Sequence, residues 1–241
     1  MTPVRVVSLV PSATETLVAW GCPPVACTLY CEQPDIRSVG GTKNPRVLDI
    51  VDLSPDVVVM CHEENREVDA EALRAVDIPV HVCSPATVAE VAPSLRDLAS
   101  AVGAAPGSGD LGGPVVYPEP IGVRAFVPIW RRPWMTITGG TYGTSLLDAI
   151  GVSNVAEGWT AGEGSAGRYP EVDLDRVAAE APDLVLVPSE PYDFKDEHLD
   201  DLRSLAPVRR IDGRDLFWWG VRTPKAVERL HRVVRRALLN G

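Results

Sequence analysis

A helix, a Pro-Asp dipeptide and a short apolar strand occur in that order twice, and this repeat restricts the chain more than any other feature. In the first half, residues 49–53 end a helix, Ser54-Pro55-Asp56 breaks it, and Val57-Val58-Val59-Met60 follows as a strand. In the second half, residues 175–181 form the helix, Pro182-Asp183 the break and Leu184-Val185-Leu186-Val187 the strand. Each strand opens into a polar mouth, Cys61-His62-Glu63-Glu64-Asn65-Arg66 in one case and Ser189-Glu190-Pro191-Tyr192-Asp193 in the other. Each mouth leads to a further helix, 68–76 and 197–205, and then to a short strand, 80–82 and 208–211. Strands that are apolar throughout are buried on both faces, and helices alternating with them imply parallel sheets joined by right-handed crossovers. The pattern predicts an α/β protein of two Rossmann-like lobes with parallel sheets. Their strand ends, where such folds bind ligands, are expected to line one interlobe cleft. The expected division is an N-terminal lobe over 1–103, a connector over 104–122 and a C-terminal lobe over 123–241.

The two halves also begin alike. Val4, Val6, Val7, Leu9 and Val10 read as a buried strand that Pro11 breaks. Ser12 and Glu15 have the S-x-x-E spacing of a capping box, so Ser12 is expected to start a helix that ends at Gly21. A strand turning sharply into a helix presents free backbone N–H groups, which suit a ligand's polar or anionic group. In the second half, Ala125-Phe126-Val127 is the strand, and a helix over 141–150 is entered through Gly139-Gly140. Between the lobes, 104–122 holds Pro106, Gly107, Gly109, Gly112, Gly113, Pro114, Pro118 and Pro120 after a helix over 88–102. No helix survives that density of breakers, so this is an extended connector.

A formal net charge of −10 argues against nucleic acid or an anionic membrane surface as the main partner. No apolar run approaches the roughly 18–20 residues of a membrane span, so direct insertion is not expected. The first strand begins almost at once, which predicts a cytoplasmic protein as written, or an extracytoplasmic one whose leader was removed. Five cysteines without framework spacing suit a reducing compartment. Cys22, Cys27 and Cys31 lack C-x-x-C spacing, which argues against structural zinc.

Aromatic residues mark the candidate site. Tyr30, Trp130, Trp134, Tyr142, Tyr169, Trp218 and Trp219 all fall at expected strand ends or loops. Six tryptophans beside three phenylalanines is an uneven choice. Trp combines a stacking face with an N–H donor and suits a wet cleft. Neighbours on a strand end point opposite ways, so one of Trp218 and Trp219 is expected to face a ligand. Trp20 and Trp159 read as packing residues. Arg131, Arg132, Arg168 and Arg222 can pair with phosphate, carboxylate or catecholate oxygens, although a solvated role is the ordinary one. Cys31, Glu32, His62 and Glu63 are polar candidates from the strand-end loops. Adjacent residues seldom converge on one ion, so no resident metal site is expected, and His62 suits an axial or hydrogen-bonding contact to a bound chelate. An enzyme would need Cys31 or Cys61 as nucleophile with His62 as base. No nucleophile elbow or phosphate loop accompanies them.

Several longer segments carry a resemblance. They are Arg5-Val6-Val7-Ser8-Leu9-Val10-Pro11-Ser12-Ala13-Thr14-Glu15, Val39-Gly40-Gly41-Thr42-Lys43-Asn44-Pro45, Glu63-Glu64-Asn65-Arg66, Pro128-Ile129-Trp130-Arg131-Arg132-Pro133-Trp134-Met135 and Arg168-Tyr169-Pro170-Glu171-Val172. With them the chain resembles the cobalamin- and iron-siderophore-type substrate-binding proteins of ABC importers, the helical backbone metal receptors. The resemblance implies reversible, non-catalytic capture of a metal-containing small molecule. The ligand would be cobalamin, haem or a ferric siderophore, held as cargo and not as a covalent cofactor, with an ABC permease as partner. Three departures stand out. The Gly/Pro-rich connector replaces the expected spanning helix. Cys31-Glu32-Gln33-Pro34 keeps the cysteine of a Cys-x-His-Pro motif but loses the histidine. Asp175 matches the docking acid of the second lobe, whereas Leu48 stands at the first-lobe position with Asp49 one place on. These departures favour weak docking, or a cytosolic protein that sequesters or chaperones a metallocofactor or natural product.

Overall fold

The computed structural model describes residues 4–104, 113–159 and 167–239, and these divide into two compact units. In the first, the strands are β1 (Val6–Ser8), β2 (Ala26–Cys27), β3 (Arg37–Ser38), β4 (Val57–Met60) and β5 (Val80–Val82). The helices are α1 (Pro11–Ala19), α2 (Val47–Asp52), α3 (Glu67–Arg74) and α4 (Val88–Ala101). All strand pairs are parallel, in the order β3-β2-β1-β4-β5. Every residue of β1 and β4 is buried, as their unbroken valine runs require. Val7, Leu9, Val58 and Met60 pack with Ile50 of α2 and Leu73 of α3.

In the second unit, β6 (Val123–Phe126) is followed by an antiparallel pair, β7 (Pro128–Trp130) and β8 (Met135–Thr136). Then come α5 (Tyr142–Ala149), β9 (Val152–Asn154), α6 (Leu174–Ala179), β10 (Leu184–Pro188), α7 (Leu199–Arg203), β11 (Val208–Ile211), α8 (Gly213–Phe217) and α9 (Thr223–Leu239). Its parallel sheet has the order β11-β10-β6-β9. Apart from β3, the first sheet reads β2-β1-β4-β5 and the second β9-β6-β10-β11. The strands therefore correspond one to one in chain order and neighbour, as the repeated helix–Pro-Asp–strand segments predict.

Two expectations are corrected. Ser12 is not a helix cap. Pro11 itself opens α1, with Val10 at the cap position and no capping side chain. Proline fits there because the first helical N–H has no intrahelical partner to lose. Glu15 turns instead to Arg222, which donates two hydrogen bonds to it, Nε at 2.7 Å and Nη2 at 2.9 Å. Trp218 and Trp219 do not lie on a strand end; they follow α8 and are 8% and 3% exposed. Tyr142 opens α5, inside the helix expected over 141–150, and is buried with its hydroxyl 2.9 Å from that of Thr223.

The units also depart from a simple cut at the connector. Trp219–Arg222 belongs to the first unit, while the residues on either side belong to the second. The strap passes close to α1: Gly220 has φ +122°, and a Cβ there would collide with the Thr16 hydroxyl. Val221 N donates to that hydroxyl, and Arg222 holds Glu15. Of the connector, 105–112 lie outside the described residues, and 113–122 have no regular secondary structure.

Candidate ligand-binding site

In a parallel sheet, a ligand crevice forms where neighbouring strands send their connections in opposite directions. Strand β1 connects onward to β2 on one side and β4 to β5 on the other, so in the first unit this point lies between β1 and β4. The same rule places it between β6 and β10 in the second unit.

At the first of these points, the loop after β4 is built around Asn65, which is buried. Its side chain accepts from Cys61 N at 2.8 Å and donates to Leu9 O at 3.2 Å and Thr42 O at 3.0 Å. One amide thus ties together three separate loops. Its neighbour His62 is exposed, and its backbone N donates to Ser84 Oγ at 2.7 Å. Glu63 is half-buried, and its carbonyl accepts from Lys43 Nζ. Asn65→Ala leaves an N–H and two carbonyls without this partner. We expect a loss of about 1–3 kcal/mol in chemical denaturation. Unchanged stability would show that the three loops are held by other contacts.

The loop after β2 carries Tyr30, Cys31 and Glu32 on and beside a short 3-10 turn, Leu29–Cys31. Tyr30 is 62% exposed, Glu32 is exposed with φ +52°, and Cys31 is buried. Ser12 is buried in the first turn of α1, where its carbonyl accepts from Thr16 Oγ1 at 2.9 Å.

In the second unit, Trp130 ends β7 and Tyr192 lies in the loop after β10. The two rings meet in a T-shaped contact with centroids 5.1 Å apart, while Trp130 stays 43% exposed. Tyr192 packs in turn on Phe194 (4.7 Å) and His198 (5.8 Å). Half-buried Trp134 stacks on Phe194 at 6.0 Å, and the Arg131 guanidinium lies 5.6 Å from the Trp134 ring centre. Arg131 also donates to Asp201 at 3.2 Å, and its buried Nε has no hydrogen-bond partner among the described residues. Tyr169 is half-buried. Sequence reasoning passed over Tyr192. The signal was present, since its mouth occupies the place in the repeat that Cys61–Arg66 holds in the first half.

Asp175 is exposed in the first turn of α6. It lines an open groove of about 780 Å³ with Trp134, Glu171, Asp173 and Asp201. Leu48 is 79% exposed, and Asp49 is paired with Arg46 at 2.6 Å. Arg222 is taken up by Glu15. Cys61 is buried, and burial pushes its thiol well above the ordinary range, so it is protonated at neutral pH. Among the described residues, no three His, Cys, Asp or Glu side chains gather as a metal site.

Two parallel α/β units of matching strand order give this chain the fold seen in solved periplasmic binding proteins. The periplasmic vitamin B12-binding protein BtuF of Vibrio cholerae superposes with a TM-score of 0.76 and 19% identity, covering 98% of both chains. The periplasmic heme-binding protein HutB of Vibrio cholerae gives 0.74 and 18%, covering 96% of this chain and 98% of that one. The vitamin B12-binding protein of Salmonella typhimurium is 26% identical over 197 residues, 76% of this chain and 71% of that protein. No family model matches the chain. Because both solved relatives are periplasmic, the cytoplasmic expectation draws no support from them. Among the described residues, no helix is long and apolar enough to cross a membrane.

Proposed function

We propose that this chain is a non-catalytic binding protein that captures a metal-containing small molecule of the cobalamin, haem or ferric-siderophore type and delivers it to an ABC permease. The observation that carries this reading is that each unit leaves aromatic rings partly exposed beside its own strand ends: Tyr30 in the first unit, Trp130 and Tyr192 in the second. Broad, rigid rings left partly in water suit a large planar ligand. The Arg131 guanidinium beside the Trp134 ring adds a cation for a carboxylate, phosphate or catecholate oxygen. The relatives that bind vitamin B12 and heme support the same ligand class, and their periplasmic setting supports an extracytoplasmic place of action. A Cys61-based enzyme is disfavoured, because the nucleophile would be a buried, protonated thiol.

Docking on the permease is assigned to Asp175, whose carboxylate-rich groove suits a basic side chain. Leu48 offers no such pair, so the first unit contributes little charge complementarity. The test is direct. The purified protein is examined by absorbance and native mass, then titrated with cyanocobalamin and with haemin while tryptophan emission is followed. A bound chromophore or saturable quenching is expected. Failure to bind cobalamin, haem and a ferric siderophore alike would overturn the reading.

A further inference from the structure

The chain carries a formal net charge of −10, yet five of the six charged residues of α9 are basic: Lys225, Arg229, Arg232, Arg235 and Arg236, against Glu228. Successive residues of a helix turn by about 100°. Thr223, Ala226, Val227, Leu230, Val234 and Ala237 therefore share one face, and all are buried. Lys225, Arg232 and Arg236 fall on the opposite face and are exposed, with Arg235 exposed beside them. At about 1.5 Å per residue, the row from Lys225 to Arg236 is about 16 Å long. Leu239, exposed at the end of the helix, continues the same line.

Internal neutralisation and helix stability do not account for this row. Among the described residues, Lys225, Arg232, Arg235 and Arg236 form no ion pair, whereas Arg229 is held by Asp215, its Nε donating at 2.6 Å. The helix dipole favours cations in the last turn, which accounts for Arg235 and Arg236. It disfavours them in the first turn, where Lys225 stands, and has faded by the middle, where Arg232 stands. The last turn is already served by a further cation, since Arg209 of β11 donates from Nη2 to the Ala237 carbonyl at 3.3 Å. Like charges one turn apart, such as Arg232 and Arg236, also repel. A row that gains so little within the fold is suited to anions outside it.

We propose that the exposed face of α9 is a peripheral docking surface for an anionic phospholipid bilayer. Headgroup phosphates lie side by side in a plane, so a straight row of cations engages several at once. Guanidinium groups pair with phosphate oxygens through two parallel N–H bonds, and the Lys225 ammonium adds a point charge. Leu239 gives the end of the row an apolar contact with the interface. The apolar face of α9 is already buried against its own unit, so the helix rests on the headgroups and does not enter the hydrocarbon. Cations without fixed partners suit mobile headgroups, which need no register, better than the matched charges of one protein partner. The attraction is local and screened by salt, and so is compatible with a net charge that disfavours such a surface as the main partner. It rests on neither the proposed ligand nor the permease.

The test pellets the full chain with vesicles of phosphatidylcholine alone, or of equal parts phosphatidylcholine and phosphatidylglycerol. The wild type is expected to pellet with the anionic vesicles at about 0.01 M salt and to stay in solution with the neutral ones. It is expected to be released at about 1 M salt, where the screening length falls from about 30 to about 3 Å. Arg232→Glu/Arg236→Glu is expected to weaken binding to the anionic vesicles by about tenfold or more. Arg37→Glu/Arg96→Glu changes the net charge equally at exposed positions of the first unit and is expected to bind as the wild type does. Equal pelleting with both vesicles, none with the anionic ones, or the same loss in both variants would each overturn the proposal. Binding to soluble poly-glutamate without binding to vesicles would also overturn it, assigning the row to an acidic protein. If the glutamate variant of α9 fails to fold, Arg232→Gln/Arg236→Gln, which keeps good helix formers, takes its place and is expected to bind more weakly than the wild type.

Discussion

Trp130→Ala is expected to weaken ligand binding by about 1–3 kcal/mol, or about 5- to 150-fold, and Tyr30→Ala by a similar amount. Trp130 is supported from one side by the Tyr192 ring at 5.1 Å, yet it keeps 43% of its surface in water. A ring held in that way can stack on a ligand without first being ordered, so little of the gain is lost to side-chain entropy. Removing it deletes both the contact area and the prearranged surface. Tyr30 is more exposed, at 62%, so its truncation removes little packing from the fold around it. Equilibrium titration with the chromophoric ligand that the wild type binds checks both variants. Wild-type affinity in the two of them would put the binding surface elsewhere on the chain.

Phe126→Ala is expected to cost about 3–5 kcal/mol of stability, the range for truncating a large aromatic residue in a well-packed core. Phe126 is fully buried at the end of β6, beside Val185 and Val187 of β10 and in the same cluster as Phe194 and Trp159. Denaturant unfolding followed by tryptophan emission gives the measurement, because Trp134 and Trp159 pack on or in that cluster. A shift under about 1 kcal/mol would mean that the surrounding side chains collapse into the cavity.

Strands β1, β4 and β10 were legible because they are apolar runs bounded by Pro-Asp or proline. Strand β3 escaped notice because Arg37-Ser38 carries no apolar signal. It pairs with β2 through backbone groups that every residue has. The β7–β8 pair was hidden by the Arg131-Arg132-Pro133 turn, which reads as a plain loop. At the candidate site, residue type showed where aromatic rings gather but not which of them reach solvent. Tyr30 and Trp130 are exposed, whereas Tyr142, Trp218 and Trp219 are buried. Glu15 illustrates the same limit. Its spacing from Ser12 suggested a local cap, and a partner 207 positions away takes its carboxylate instead.

The short strap that returns from the second unit to α1 also limits how such a chain can be recombined. Glu15 and Thr16 find their partners in Gly220, Val221 and Arg222, beyond the last strand of the other sheet. A single crossover that joined the first half of this protein to the second half of a relative would bring in a foreign strap. The new strap would have to present a cation to Glu15 and a residue without a side chain to Thr16. Exchange of one half therefore has to carry this strap with it, because Glu15 and Thr16 near the start of the chain are matched to residues near its end within the same unit.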